Sequence, residues 1–203
     1  MVEDIRILSR QILARGRGLL EKISFERRRF DGRLQTVTRE VYDTGDGAAI
    51  LLYDPDRARV VLVRQFRAPA FLSGGRQGLI EVCAGRLEGA DAEARIVKEA
   101  EEETGFAVRD PQRLFEAYMS PGYFCERLTF FVAQYEPKDL TGDGGGLEEE
   151  GEDIEVLEPT LDEALAMIER GEIIDAKTIL LLQYAKLAGL MREAGAREQG
   201  RPE

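Results

Sequence analysis

At 203 residues with 43% apolar content the chain can fill one ordinary core, and a formal charge of −11 at pH 7 is the wrong sign for gripping a nucleic-acid backbone. Histidine is absent, which excludes Ser-His-Asp and Cys-His nucleophile machinery and any imidazole metal site. Two distant cysteines, Cys83 and Cys125, make no disulfide framework, and with no long apolar run and no ordered signal peptide the expected location is cytoplasmic.

In chain order, the first 45 residues carry two patterns. Ile5, Leu8 and Ile12 suit a helix, whereas Phe25, Phe30, Val37 and Val41 suit strands, and Asp31-Gly32 between β-prone runs is a hairpin signal. The expectation is a small antiparallel β unit over 1–45 whose exposed sheet edge pairs with a second copy of the chain. A main domain over 46–195 and a tail over 196–203 complete the division. In the main domain, strands are predicted over 48–54, 58–66, 79–85, 127–135 and 153–159, and helices over 91–104, 161–170 and 175–193. Thr160 and Glu163 form a capping-box pattern at the second helix. Strands and helices mix without regular βαβ alternation, so the predicted fold is α+β, a layered α/β/α sandwich with the small N-terminal antiparallel β unit. Between Glu136 and Glu152 runs "EPKDLTGDGGGLEEEGE", an acidic loop with three consecutive glycines and no apolar period. A loop of this length inside a domain is either functional or a solvated excursion.

The helix at 91–104 ends against its own interest. Glu99, Glu101, Glu102 and Glu103 crowd its last turn, where the helix dipole prefers cations. Glu99, Glu102 and Glu103 share one face, with Ile96, Val97 and Ala100 expected opposite. Each like-charge pair costs roughly 0.2–0.5 kcal/mol, and each acid near this end about 0.3–1 kcal/mol more. A hard divalent cation reverses that sign, because clustered oxygen ligands on a rigid element are what Mg²⁺ or Mn²⁺ requires. A solvated acidic face is the alternative.

The spacing Gly85, thirteen residues, then Glu99-Ala-x-Glu102-Glu103-x-Gly105 resembles the signature of the Nudix hydrolases. The interval is one residue shorter than the general pattern, Lys98 replaces an arginine, and Asp91 stands where an early glutamate is sought. The shortened box with Lys-Glu-Ala is similar to the branch that acts on nucleoside diphosphate sugars. That likeness extends along the chain through "REVYDTGDGAAILLY", "VRQFR", "IEVCAG", "LFEAYMSPG", "DIEVLE" and "GEIIDAKTILLL".

The resemblance implies a Mg²⁺-dependent pyrophosphatase, with Mn²⁺ possible, acting on a nucleotide sugar: GDP-mannose first, ADP-ribose second. It implies metal binding by Glu99, Glu102, Glu103, Glu152 and the Ala84 carbonyl, with Glu103 also catalytic. It places the base at Glu152, or at Glu150. It implies substrate contacts at Arg67, Gly85, Arg86, Glu126 and Lys177, the two cations Arg67 and Lys177 adding fixed positive charge. Arg39 matches a position reaching into the partner subunit's site of a homodimer, and Arg17 falls where an aromatic would stack on the base. The acidic loop would be a mobile arm that closes over the site. Two competing readings are a non-catalytic nucleotide-sugar sensor and an acidic structural dimer.

Overall fold

The computed structural model describes residues 5–75 and 77–191, without the Glu150 side chain. The expected 196–203 tail lies outside the described residues. The chain divides into two compact units, one taking the N-terminal part through Asp46 with Tyr118–Leu128, the other Gly47–Ala117 with the part from Thr129 onward.

The first unit is a three-stranded antiparallel sheet in the order β1 (Ile5–Arg15), β2 (Leu19–Arg28), β3 (Leu34–Asp43). The helical pattern at Ile5, Leu8 and Ile12 is in fact a strand. Its register on β2 slips between Ile7 and Ser9 and again between Ile12 and Ala14. Each slip inserts one residue and inverts the inward-outward alternation, which turns a period of two into apparent three- and four-residue spacings. The predicted hairpin joins β2 to β3, with Gly32 at φ +85 and the Asp31 carboxylate accepting from the Arg33 backbone N–H at 3.1 Å. In the same unit Tyr42 exchanges backbone bonds with Tyr123 (2.9 Å) and Cys125 (3.2 Å), and its ring meets Phe124 edge-on at 5.9 Å.

The second unit is built on a seven-stranded sheet. Its elements are β4 (Gly47–Asp54), β5 (Arg59–Gln65), α1 (Ala68–Leu72), β6 (Leu79–Glu81), β7 (Cys83–Arg86), α2 (Ala92–Thr104), β8 (Gln112–Tyr118), β9 (Arg127–Gln134), β10 (Glu155–Leu157), α3 (Leu161–Glu169) and α4 (Ala176–Leu187). The order is β10-β5-β4-β9-β8, with β6 pairing β5 and β7 pairing β4. Every residue of β4 is buried. Ala48, Ile50 and Leu52 pack with Ile96 and Ala100 of α2, Phe106 and Phe131, while Ala49 and Leu51 on the other face are equally covered, and α4 packs against the strand. Burying each large aliphatic side chain contributes roughly 1.5–3 kcal/mol, which holds the helices on a fixed frame.

The strand predicted over 79–85 is two strands. The chain leaves β5 after Glu81 and joins β4 at Cys83, and the intervening Val82 N–H donates to Thr178 Oγ1 at 2.8 Å instead of to a ladder. That switch carries Glu81, Cys83, Ala84 and Gly85 to the acidic helix and the start of α4.

Candidate active site

Helix α2 begins at Asp91, whose carboxylate accepts from the N–H groups of Glu93 and Ala94 at 3.0 and 3.1 Å. Asp91 is therefore an N-cap. The helix ends at Gly105, left-handed at φ +76, where a side chain is strained and would also strike the Gly142 carbonyl.

The acidic residues differ from the expected arrangement in one respect: Glu99 and Glu103 are not opposite the apolar stripe but on its edge. They are 8% and 2% exposed, beside the fully buried Ile96 and Ala100, whereas Val97 is half-buried. Helical rotation explains this, since residues seven apart lie within about 20° of each other, so Glu103 follows Ile96 into the interior. Glu102 is half-buried and Glu101 exposed.

Gly85 explains its own identity. A β-carbon there would fall inside the van der Waals envelope of the Glu99 carboxyl group, so the backbone of β7 meets the carboxylate directly. Ala84 precedes it, opposite Ala49 of β4. Arg86 follows and accepts the Arg95 Nε–H through its carbonyl at 3.1 Å.

Glu103 is the most constrained acid. The Cys83 thiol is its hydrogen-bond partner, and its buried Oε2 has no hydrogen-bond partner among the described residues. Burial pushes its pKa up to about 7; the Cys83 bond and the Arg67 charge oppose that rise, while the charges of Glu99 and Glu152 add to it. Burial, then Glu103, holds the Cys83 thiol well above its ordinary value. Cys83 is thus an inert buried donor beneath the carboxylates. Among the described residues no three acidic, cysteine or histidine side chains are drawn into ready metal geometry. Glu99 is held by Arg95 at 2.6 Å and Glu102 by Lys98 at 2.7 Å. In both pairs the base precedes the acid by four, the less favourable order on a helix. An all-oxygen group with an orphaned buried carboxylate oxygen nonetheless fits a hard divalent cation.

The acidic loop is docked rather than free over its glycine half. Thr141 and Gly142 donate to the Gly105 carbonyl at 2.9 and 3.2 Å, Gly145 to Glu103 at 2.9 Å, and Gly146 to Glu102 at 3.1 Å. These bonds satisfy carbonyls that the end of α2 leaves without intrahelical partners. Gly144, Gly145 and Gly146 all adopt positive φ, and a β-carbon on Gly146 would lie 2.6 Å from Glu152 Oε2. Glu152 folds back to accept the Leu147 N–H at 3.0 Å and is close enough to act electrostatically on Glu103.

Arg67 and Lys177 meet on a residue the sequence reading passed over. Arg67 Nε donates to Glu81 Oε2 at 2.6 Å, and Lys177 Nζ to Glu81 Oε1 and, at 3.0 Å, to Asp175. Two cations face two carboxylates, so the expected fixed positive charge is balanced. A buried ammonium requires such counter-ions: burial pulls the Lys177 pKa down, and Glu81 with Asp175 more than restores it. The signal for Glu81 was a lone charge in the apolar run "LIEVCAG".

Arg39, Arg17 and Glu126 belong to the other unit. Arg39 is exposed and donates to the Thr38 carbonyl at 2.8 Å, Arg17 is exposed in the β1–β2 turn, and Glu126 is half-buried.

Residues 4–42 match the "GDP-mannose pyrophosphatase NudK N-terminal domain" and residues 43–182 the "NUDIX domain". A GDP-mannose pyrophosphatase of Shigella flexneri is 45% identical over 94% of this chain and 100% of its own length, and that of Pectobacterium atrosepticum 46% identical over 93% and 97%. A solved structure described as the crystal structure of an ADP compounds hydrolase superposes with a TM-score of 0.66 at 21% identity, covering 92% and 95% of the two chains, a likeness of fold. The buried glutamate pair at the end of α2, the glycine against it and these matches agree: the chain belongs to the Nudix family and is a pyrophosphate-bond hydrolase.

Proposed function

We propose that the chain hydrolyses GDP-mannose to GMP and mannose 1-phosphate with Mg²⁺. The observation that supports this most is the orphaned, buried Oε2 of Glu103 beside Glu99 and Gly85, in a chain 45% identical to GDP-mannose pyrophosphatases over 94% of its length. Glu99, Glu102, Glu103 and the Ala84 carbonyl would hold the metal, with Glu152 joining them. When bound, the ion supplies charge neutralisation at the pyrophosphate and Lewis acidity.

In the reaction, water adds to one phosphorus and the bridging P–O bond breaks. Glu152 accepts the proton that the water gives up; Glu150 is the second candidate for that role. Arg67 and Lys177 bind pyrophosphate oxygens through directed N–H donors, and the β7 backbone at Gly85 and Arg86 approaches the substrate. By the resemblance, Arg39, Arg17 and Glu126 are further nucleotide-sugar contacts, Arg39 toward the partner subunit.

A homodimer formed through residues 1–45 is part of this reading. Ile5, Ile7, Leu8, Ile12 and Leu13 of the edge strand β1 are all exposed, an apolar surface that a second copy would cover. No described helix is long and apolar enough to cross a membrane, and a cytoplasmic location accords with a nucleotide-sugar substrate.

The test is phosphatase-coupled phosphate release from a panel containing GDP-mannose and ADP-ribose, with and without Mg²⁺. Preference for GDP-mannose and loss of turnover in Glu103→Gln are expected. Binding without turnover at any metal concentration would establish the sensor instead, and a preference for ADP-ribose would move the substrate assignment. Light scattering after size exclusion reports the dimer.

A further inference from the structure

Two cations assigned to the substrate converge on a residue that has no role in the reaction as described. Glu81 ends β6, is 3% exposed, and gives each carboxylate oxygen to a different cation: Oε2 accepts from Arg67 Nε at 2.6 Å, Oε1 from Lys177 Nζ. Arg67 is the N-cap of α1, and Lys177 lies in the first turn of α4. Three elements therefore meet on one carboxylate.

Backbone geometry fixes this meeting point. Glu81 sits opposite Val63 in the β5–β6 ladder, so strand register sets its position. The next residue, Val82, donates to Thr178 Oγ1 at 2.8 Å, and that hydroxyl donates to Asp175 Oδ2 at 2.6 Å. The start of α4 is thus tied to the strand that carries Glu81, and Lys177 cannot drift from it by helix movement.

The donor count indicates what the arrangement is for. A guanidinium bonded at Nε keeps the Nη–H donors of its far edge for another partner, and the Arg67 side chain is 39% exposed. Lys177 is 9% exposed and directs two of its three donors to Glu81 and Asp175, which leaves one. An arginine fixed at Nε has lost much of its rotamer freedom before any ligand arrives, and its planar fork matches phosphate oxygens.

We propose that Glu81 is a positioning residue for pyrophosphate recognition, clamping Arg67 and Lys177 side by side so that their remaining N–H donors meet the substrate in fixed geometry. This rests on the reading of Arg67 and Lys177 as substrate contacts. Glu81 itself touches no substrate. A purely structural Glu81, needed only to neutralise a buried lysine, would change stability and leave KM untouched.

The experiment measures steady-state kinetics on GDP-mannose from about pH 6 to 11 for Glu81→Gln, Arg67→Ala, Lys177→Ala and the double variant Glu81→Gln/Arg67→Ala. Glu81→Gln is expected to raise KM roughly tenfold with a smaller fall in kcat. Its alkaline limb of kcat/KM moves to lower pH, because Lys177 keeps one counter-ion instead of two. In the double variant, Glu81→Gln adds less than it does alone, since part of its action passes through Arg67. Glu81→Asp keeps the charge and shortens the reach; it is expected to raise KM with the alkaline limb in place, and it carries the test if the glutamine variant fails to fold. A wild-type KM in Glu81→Gln or Glu81→Asp, while Arg67→Ala raises KM, overturns the clamp alone. Wild-type KM in both Arg67→Ala and Lys177→Ala overturns the substrate reading and the clamp together.

Discussion

Replacing Glu103 by glutamine should stabilise the metal-free protein at alkaline pH while abolishing its activity. Burial lifts the Glu103 pKa from 4.5 to about 7, so the folded state holds this proton more tightly than the unfolded chain does. The sign follows from linkage. Below pH 4.5 both states are protonated, stability falls as pH rises from 4.5 to about 7, and above that the full cost of an ionised buried carboxylate is present. A shift of about 2.5 units at ~1.36 kcal/mol each amounts to roughly 3 kcal/mol. Glutamine never ionises and avoids that cost. In EDTA, the stability of Glu103→Gln relative to wild type should therefore increase by about 2.5 kcal/mol between pH 5 and pH 8, the part of the shift that falls in that interval, or about 5–10 °C in melting temperature for a chain of this size. The difference between the two proteins cancels the titrating groups that do not interact with Glu103, leaving Glu103 and its neighbours Cys83, Glu99 and Glu152. Mg²⁺ should raise the melting temperature of the wild type and not of the variant, and turnover should fall by roughly 10²-fold or more. A relative stability that stays constant between the two pH values would refute the reasoning, because it would mean that Glu103 is not held ionised in a dry site.

Gly85→Ala places a methyl group against the Glu99 carboxyl, and should cost about 1–3 kcal/mol and shift the Mg²⁺ dependence of activity to higher concentration, as read by metal titration. Gly146→Ala forces a side chain to φ +78 at 2.6 Å from Glu152 Oε2, at a cost of about 1–2 kcal/mol. Hydrogen exchange over 141–154 should rise and kcat fall; unchanged protection there would show that the glycine does not hold the loop. Asp91→Ala removes the cap of α2 and should lower stability by about 1 kcal/mol with kcat intact, so a large loss of turnover would point instead to a role for Asp91 in the reaction.

Some of this protein is local and could be read residue by residue. The i, i+4 spacing of Glu99 and Glu103, the glycine stop at 105, the Asp31-Gly32 hairpin and the apolar runs of β4, β5 and β9 each follow from a periodicity or a turn preference acting over a few positions. β1 escaped because two register slips disguised its alternation as a helical period. β8, "QRLFEAY", escaped because none of its residues is buried and only Leu114, Phe115 and Ala117 are half-covered, so it carries no clear inward-outward alternation. The site divides along the same line. Sequence placed the carboxylates at one end of one helix, but their desolvation depends on the sheet beneath them. Gly145 and Gly146 cap carbonyls more than forty residues upstream. Glu81 draws its two cations from a loop fourteen residues away and a helix ninety-six residues away. Spacing along a chain determines which side chains share a face; only packing decides which of them lose water and which charge they then meet.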